Sequence, residues 1–374
     1  MRSSYLAYPL GNRCGGPASM LTCVPIESFD RYSAVLPDIS FGQFRSPHDG
    51  DMPNHLVVSV PAELPEMEDE SSINGRSICV MSDLHPLNGG NFVHDNNRLV
   101  DGGSILKRFS LQGKTAIITG AAAGIGLSIA EAYAETGANI ALWYRTSNKA
   151  QERAEELATK YNVTVKAYQV DMRDAQAVEQ AVDQSVKDLN GRLDIFVANA
   201  GIPWTKGPMV DGPIDHYRDV VQTNLDGTYY CAKAAAKHWR RQKYEGTDLN
   251  GQPLSNYTSG SFIATASMSG GIVNIPQLQA AYNAAKAGVI HLIKSLAVEW
   301  ARFARANAIS PGYIITEISN FVDQETKDMW KDKIPVGREG EPHELQGAYL
   351  FLASDASTYA TGANFVIDGG YSAP

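Results

Sequence analysis

The sequence predicts an α/β fold: one doubly wound, seven-stranded parallel sheet with helices on both faces, preceded by a largely disordered N-terminal extension. Three observations lead there. From Lys114 onward, short apolar, β-branched runs alternate with longer stretches rich in Ala, Glu and Lys, the pattern of strands joined by crossover helices. The first run leads straight into a glycine-rich turn. Composition also changes sharply near residue 105, which divides the 374 residues into an extension, 1–104, and one domain, 105–374.

The extension has no lysine, holds 9 of the 18 prolines within residues 1–100, and contains Cys14, Cys23 and Cys79. Six arginines face 12 acidic residues up to residue 100, against 26 basic and 29 acidic residues over 101–374. Most of the net charge of −9 therefore sits in the extension. A short apolar stretch, His55–Val60, has strand character, but Pro53, Pro61 and Pro65 bracket it and the acidic run Glu66–Glu70 follows. With no sustained period, the segment reads as mostly disordered. Residues 1–26 hold Arg2, Arg13, several serines and no acid, a thin version of a transit-peptide composition. A cytoplasmic location is expected, with mitochondrial targeting the minor alternative. His48, His55, His85 and His94 show no ligand spacing with Cys79, so no metal site is expected. An acidic balance lacks the basic face that nucleic acid needs. No run approaches the roughly 18 apolar residues of a membrane span.

Within the domain the expected strands are Thr115–Thr119, Asn139–Tyr144, Val163–Asp171, Leu193–Ala198, Ser261–Ala266, Ala306–Ile309 and Asn364–Asp368. One unbroken series of seven argues for a single sheet. The first strand enters Thr119-Gly120-Ala121-Ala122-Ala123-Gly124-Ile125-Gly126 and then a helix over Leu127–Thr136. Glycines there permit a tight turn, let the backbone approach a pyrophosphate and seat the helix on the sheet. The helix N-terminus offers free N–H groups to the phosphates. Gly120, Gly124, Ile125 and Gly126 are therefore expected to hold a dinucleotide in a Rossmann-type fold. At the end of the second strand an acid would bind the adenosine 2′-hydroxyl and select NAD. Tyr144 stands there instead, and Arg145, Ser147 and Lys149 follow. Arg145 suits a 2′-phosphate, so the expected cofactor is NADP.

Further motifs follow in a fixed order: Asp171, Asn199-Ala200-Gly201, Asn224, Ser267, Tyr282-Asn283-Ala284-Ala285-Lys286, and Pro311-Gly312-Tyr313-Ile314-Ile315-Thr316. With the TGxxxGxG turn, they make the chain from about residue 110 onward resemble the short-chain dehydrogenase/reductase family. The resemblance implies a catalytic tetrad of Asn224, Ser267, Tyr282 and Lys286. Tyr282 would exchange the proton, Ser267 polarise the carbonyl, Lys286 hold the cofactor ribose, and Asn224 hold a relay water. It also implies that Asp171 meets the adenine, though a helix N-cap is an equal reading of that residue. Asn199 and Gly201 would line the cofactor cleft, and Ile314 and Thr316 would contact the nicotinamide carboxamide. A tyrosine and a lysine four residues apart share a helix face. The ammonium would favour the phenolate and lower the tyrosine pKa from its usual value near about 10. The same spacing recurs at Tyr229 and Lys233, but no serine lies 13–15 residues upstream. That copy reads as a buried aromatic and a solvated lysine. Ser267, directly ending the fifth strand, is preferred over Ser269 as the catalytic serine.

Ser267-Met268-Ser269-Gly270, Val273-Asn274-Ile275-Pro276-Gln277 and Asp368-Gly369-Gly370-Tyr371 resemble, within that family, the fungal sorbose reductase, NADP-dependent mannitol dehydrogenase and L-xylulose reductase group. This implies NADP(H)-dependent interconversion of a ketose of the fructose, sorbose or xylulose type and its polyol. Pro203-Trp204, Gln277, Gln279 and the segment from Glu317 to Trp330 are expected to border the pocket, since tryptophan faces and amides suit sugars. The rival readings are a general carbonyl reductase on aryl or keto-ester substrates, a 3-oxoacyl-carrier-protein reductase, and a non-catalytic NADP sensor. A zinc alcohol dehydrogenase is set aside because the domain has one cysteine, Cys231. Residues 241–260 are expected to form a surface loop. In the family, helices matching the Ala-rich stretches around 218–240 and 284–303 build a tetramer, so a homotetramer acting on a small molecule is expected.

Overall fold

The computed structural model describes residues 103–254, 256–319 and 322–374, with the short pieces 41–42, 57–58, 86–88 and 90–94. The chain divides into two units, Met1–Ile78 and Cys79–Pro374. In the first, Phe41–Gly42 pairs antiparallel with Val57–Val58, inside the apolar stretch singled out above. In the second, Leu87–Asn88 pairs antiparallel with Asn91–Phe92. The expected disorder and the transit-peptide-like residues 1–26 otherwise fall outside the described residues.

Seven strands form one sheet: β1 (Thr115–Thr119), β2 (Asn139–Tyr144), β3 (Val165–Gln169), β4 (Ile195–Ala198), β5 (Gly260–Thr265), β6 (Ala304–Pro311) and β7 (Asn364–Ile367). Their order is β7-β6-β5-β4-β1-β2-β3, and every adjacent pair is parallel. The helices between them are α1 (Gly124–Glu135), α2 (Ala150–Tyr161), α3 (Ala175–Asp188), α4 (Ile214–Val221), α5 (Gly227–Glu245), α6 (Ala280–Glu299), α7 (Gln324–Lys333) and α8 (Gln346–Ala353). Successive strand side chains point to opposite faces. Ile117, Phe196, Phe262 and Ala306 join a core with Val182 of α3, Trp239 of α5 and Ile293 of α6. Ala116, Ile118, Val197 and Ile263 join another with Ile129 of α1, Leu157 of α2 and Tyr349 of α8. Burial on both faces explains why the central strands read as continuous apolar runs.

Beside shifts of one or two residues at the ends of β4 to β7, three differences from the sequence expectation have a physical reason. β3 is shorter than Val163–Asp171 because it is an edge strand whose single neighbour, β2, runs only from Asn139 to Tyr144. α1 begins at Gly124, three residues before the expected Leu127, because the motif glycines themselves enter the helix. Residues 241–245 belong to α5, which stops at Gly246 in the left-handed conformation, φ 69°. The remaining loop is pinned by Arg241, which donates to the carbonyls of Thr247 (3.1 Å) and Asp248 (3.4 Å).

Strand order reverses between β1 and β4, so the connections from these two strands leave toward opposite halves of the sheet. A crevice opens at their C-terminal ends, where doubly wound sheets bind ligands. At the other end a buried pair fixes the two strands together. Arg192 grips Asp194 (2.6 and 2.8 Å) while Asp194 accepts from the Thr115 amide (2.9 Å). Among the described residues no helix is long and apolar enough to cross a membrane. None of them form a cluster of three or more His, Cys, Asp or Glu able to hold a metal ion.

Candidate active site

A cavity of about 420 Å³ occupies the crevice. Its floor is the turn after β1. Gly120 and Gly124 adopt φ of 64° and 54°, a region that side chains with a Cβ seldom enter. They bring the backbone to the cavity wall with Ile125 beside them. Ala123, the residue before α1, is extended and offers no side-chain cap, so the first amides of the helix are open to a ligand. Gly126 is a packing residue instead. A Cβ there would collide with the Gly120 carbonyl and lie 2.7 Å from Asn199 Nδ2. Gly126→Ala is therefore expected to cost about 1–3 kcal/mol of stability, read as a lowered denaturant midpoint; an unchanged midpoint would contradict this packing. Asn199 acts as a clamp, donating to the Thr119 carbonyl (3.0 Å) and accepting from Thr265 Oγ1 (3.1 Å). It thereby joins the ends of β1, β4 and β5.

At the adenosine end of the predicted site, Tyr144, Arg145 and Asp171 line the cavity. Arg145 is exposed. Arg173 forks onto Asp171 (2.7 and 3.1 Å) and reaches Asp219 (2.9 Å). These bonds, helped by the charge of Arg145, hold the Asp171 carboxyl below its ordinary pKa. Asp171 is not a helix cap. Asp174 caps α3, accepting from the amides of Gln176 and Ala177.

The residues expected to form the tetrad meet near the C-terminal end of β5. Ser267, Tyr282 and Lys286 line the cavity. Tyr282 lies close enough to Ser267 for the serine to favour its phenolate. Ser267 Oγ donates to Ser269 Oγ (3.0 Å) and accepts from the Ser269 amide (3.1 Å). Ser269 also lines the cavity and accepts from Gln279 Nε2 (3.2 Å). Lys286 Nζ sits 5.6 Å from the Tyr282 ring centre and donates to the Thr265 carbonyl (2.7 Å). Burial pushes the Lys286 ammonium down to about 8. Burial likewise holds the Tyr282 hydroxyl above its usual value, offset in part by Ser267. The lowering expected from Lys286 is not seen: burial outweighs the favourable contribution of Ser267.

Asn224 lies in a π-helical turn, Gln222–Asp226, between α4 and α5. Its Nδ2 donates to the carbonyls of Ile202 (2.9 Å) and Val220 (2.8 Å), leaving a buried Oδ1 with no partner. Asn224 Oδ1 and Lys286 Nζ both border the space beside Gly201, where a side chain would run into Asn224 Oδ1 at 2.5 Å. Ile314 and Thr316 line the cavity with Gly201 and Asn199.

The far end is amphipathic. Tyr313 and Trp330 stack at 3.9 Å, nearly parallel. Asn274 Nδ2 donates to the Tyr313 hydroxyl (3.1 Å) and Gln279 Nε2 donates to Asn274 Oδ1 (2.6 Å). Gln277 and Pro203 complete that wall.

Comparison with known proteins places the chain in a family. A family model described as enoyl-(acyl-carrier-protein) reductase matches residues 120–372. The L-xylulose reductase of Hypocrea jecorina is 58% identical, covering 77% of this chain and all of its own. The probable NADP-dependent mannitol dehydrogenase of Yarrowia lipolytica is 53% identical over 72% of this chain and 92% of its own. A solved structure, the NADPH-dependent 3-quinuclidinone reductase of Rhodotorula rubra, is 41% identical with a TM-score of 0.67, covering 74% of this chain and 97% of its own. The chain belongs to the short-chain dehydrogenase/reductase family.

Two expectations about this short-chain dehydrogenase/reductase need correction. Trp204 does not border the cavity. It is buried, stacked on His216 at 5.0 Å, and donates to the Gly207 carbonyl (2.7 Å). Tyr229 is not a buried aromatic but 49% exposed, and neither it nor Lys233 lines the cavity. Sequence reasoning also gave no site role to Asn274, Tyr313, Arg173 or Glu339. The Asp-x-Arg spacing at 171–173 was a usable signal for Arg173. Asn274, Tyr313 and Glu339 reach the cavity only through loop folding.

Proposed function

We propose that residues 105–374 are the catalytic domain of an NADP(H)-dependent oxidoreductase that interconverts a ketose and its polyol. The observation that carries this reading is that Ser267, Tyr282 and the buried Lys286 line one cavity with the glycine turn. The turn suits a dinucleotide: Gly120 and Gly124 bare their backbone and the N-terminus of α1 is uncapped, a combination favourable to phosphate. Arg145, with no acid at the end of β2, favours a 2′-phosphate. The NADP named for the mannitol dehydrogenase relative supports the same choice. The bound nicotinamide supplies the hydride in reduction and accepts it in oxidation.

In reduction Tyr282 gives its hydroxyl proton to the carbonyl oxygen as the carbon receives hydride. Ser267 has a single proton, directed at Ser269 Oγ in this structure. It turns that proton onto the substrate oxygen, while Gln279 continues to satisfy Ser269. The charged Lys286 holds cofactor hydroxyls and stabilises the tyrosinate left behind. The unpartnered Asn224 Oδ1 accepts from a water that returns a proton inward. The ketose assignment is supported by the substrates named for the relatives and by the amide and aromatic wall of Asn274, Gln277, Tyr313 and Trp330.

Initial rates of NADPH oxidation with fructose, sorbose, xylulose and an aryl ketone test this reading. Turnover of at least one ketose supports it. Activity on the aryl ketone alone makes the protein a general carbonyl reductase. NADPH binding without turnover of any ketone makes it a sensor. In the same assay Arg145→Ala is expected to reduce the preference for NADPH over NADH about tenfold or more, the worth of one charge-assisted hydrogen bond. An unchanged ratio removes Arg145 from 2′-phosphate recognition.

A further inference from the structure

The end of the chain is firmly tied, where termini ordinarily fray. After β7, Gly369 and Gly370 turn at φ of 65° and 87°, conformations open chiefly to glycine. The Asp368 carboxylate closes the turn. Its Oδ1 accepts from the Gly370 amide (2.9 Å), and its Oδ2 from the Ser372 amide (2.9 Å) and hydroxyl (2.5 Å). The turn is also joined to its surroundings. Gly312 donates its amide to the Ile367 carbonyl (2.9 Å), and Val336 donates its amide to the Gly369 carbonyl (3.2 Å). A Cβ on Gly312 would lie 2.6 Å from Asp368 Cα, so the turn packs directly on the backbone that leads into Tyr313.

What this turn delivers is the side chain of Tyr371. Its ring meets Tyr313 edge-on, with 5.4 Å between centres and 86° between planes. Trp330 covers the same Tyr313 ring face to face, at 3.9 Å and 8°. The Tyr371 hydroxyl donates to the Ile275 carbonyl (3.4 Å). Ile275 follows Asn274, whose Nδ2 donates to the Tyr313 hydroxyl (3.1 Å). Tyr371 therefore touches both sides of one hydrogen bond: the ring of Tyr313 and the backbone next to Asn274. Tyr313, Asn274 and Trp330 line the cavity, and Tyr371 does not.

We propose that Tyr371 is a positioning residue for the substrate, fixing the ring plane of Tyr313 and the reach of Asn274 from behind the cavity wall. This deepens the ketose reading and rests on it. An edge-on ring pair is held by the quadrupoles of both rings and resists rotation. A wall held in this way is ordered before the substrate arrives. A wall released from it must be ordered during binding, and that cost falls on substrate affinity. Tyr371 meets Tyr313 and Ile275, on the side of the cavity away from the glycine turn, so cofactor affinity is spared.

The test is the KM and kcat of Tyr371→Ala for whichever of fructose, sorbose and xylulose wild type reduces best, with the NADPH Kd read by fluorescence. The KM is expected to rise about threefold to tenfold, the worth of one aromatic pair, with kcat and the NADPH Kd little changed. Tyr371→Phe keeps the ring and gives up only the long hydroxyl bond, so it is expected to stay near wild type. A KM that does not rise, an NADPH Kd that rises in step with it, or a Tyr371→Phe as impaired as Tyr371→Ala overturns the proposal. If Tyr371→Ala does not fold, Tyr371→Leu, which keeps apolar bulk without a ring, is read by the same criteria. Wild type that reduces no ketose overturns the ketose reading and this assignment with it, and that result shows before any variant is made.

Discussion

Tyr282→Phe is expected to lower kcat for ketose reduction by about 10³, the scale of a lost general acid, while leaving the NADPH Kd and the melting temperature close to wild type. The substitution removes one hydroxyl beside Ser267, and Ser267 keeps its bonds to Ser269. Packing and cofactor contacts therefore stay in place. The pH profile follows from the direction of the Tyr282 shift. Burial holds the hydroxyl above its ordinary value, so it stays protonated through neutral pH, which is the form that reduction needs. Reduction is expected to be flat around neutrality and to fall only on the alkaline side. Polyol oxidation needs the phenolate and is expected to rise toward alkaline pH. Steady-state profiles in both directions check this. A reduction limb that falls with pH near 6 would point to a different acid.

Lys286→Met is expected to abolish most activity and yet stabilise the fold. Lys286 is 3% exposed, and burial brings its ammonium from 10.5 down to about 8. Below about pH 8 the lysine is charged in both folded and unfolded chains, and the full desolvation penalty is present. Between about 8 and 10.5 the unfolded chain still binds a proton that the folded chain has released, so stability rises with pH. Above that window the penalty is gone. The shift corresponds to at most about 3 kcal/mol, reduced by the lost hydrogen bond to Thr265, which is worth about 1 kcal/mol. The variant should melt higher than wild type at pH 7, with the gap closing toward pH 10. A variant that melts lower at pH 7 contradicts this account of the site. The lysine would then be a case of stability given up for function.

Much of the fold was legible because its signals are local. β1 and β2 occupy the residues expected of them, since each is an apolar run closed by polar or glycine punctuation. The edge strand β3 was overestimated, because its end depends on where its neighbour stops rather than on its own residues. The start of α1 was missed because Gly124 and Gly126 carry poor helix propensity and are helical for reasons of turn geometry and close packing. Within the site, motif order brought Ser267, Tyr282, Lys286 and the glycine turn to one cavity. The tryptophans could not be sorted the same way. Trp204 lies in a loop and Trp330 in a charged helix, and only the fold turns one onto His216 and the other onto Tyr313. The direction of the Tyr282 shift was also hidden, because helical spacing places the lysine nearby but does not say how deeply the hydroxyl is buried. Glu339 gave no signal at all: it sits in an ordinary charged loop sequence, and only burial without a partner marks it.

The central claim is that a hydride from NADPH and a proton from Tyr282 together reduce a ketose in this cavity. Its most direct test uses NADPH deuterated at the transferring position of C4, with xylulose, and mass and NMR analysis of the product. The account predicts one deuterium on the former carbonyl carbon of the polyol, formed mole for mole with oxidised cofactor and lost in Tyr282→Phe. Oxidation of the cofactor with no labelled polyol, or labelled polyol formed equally well without the Tyr282 hydroxyl, would contradict it.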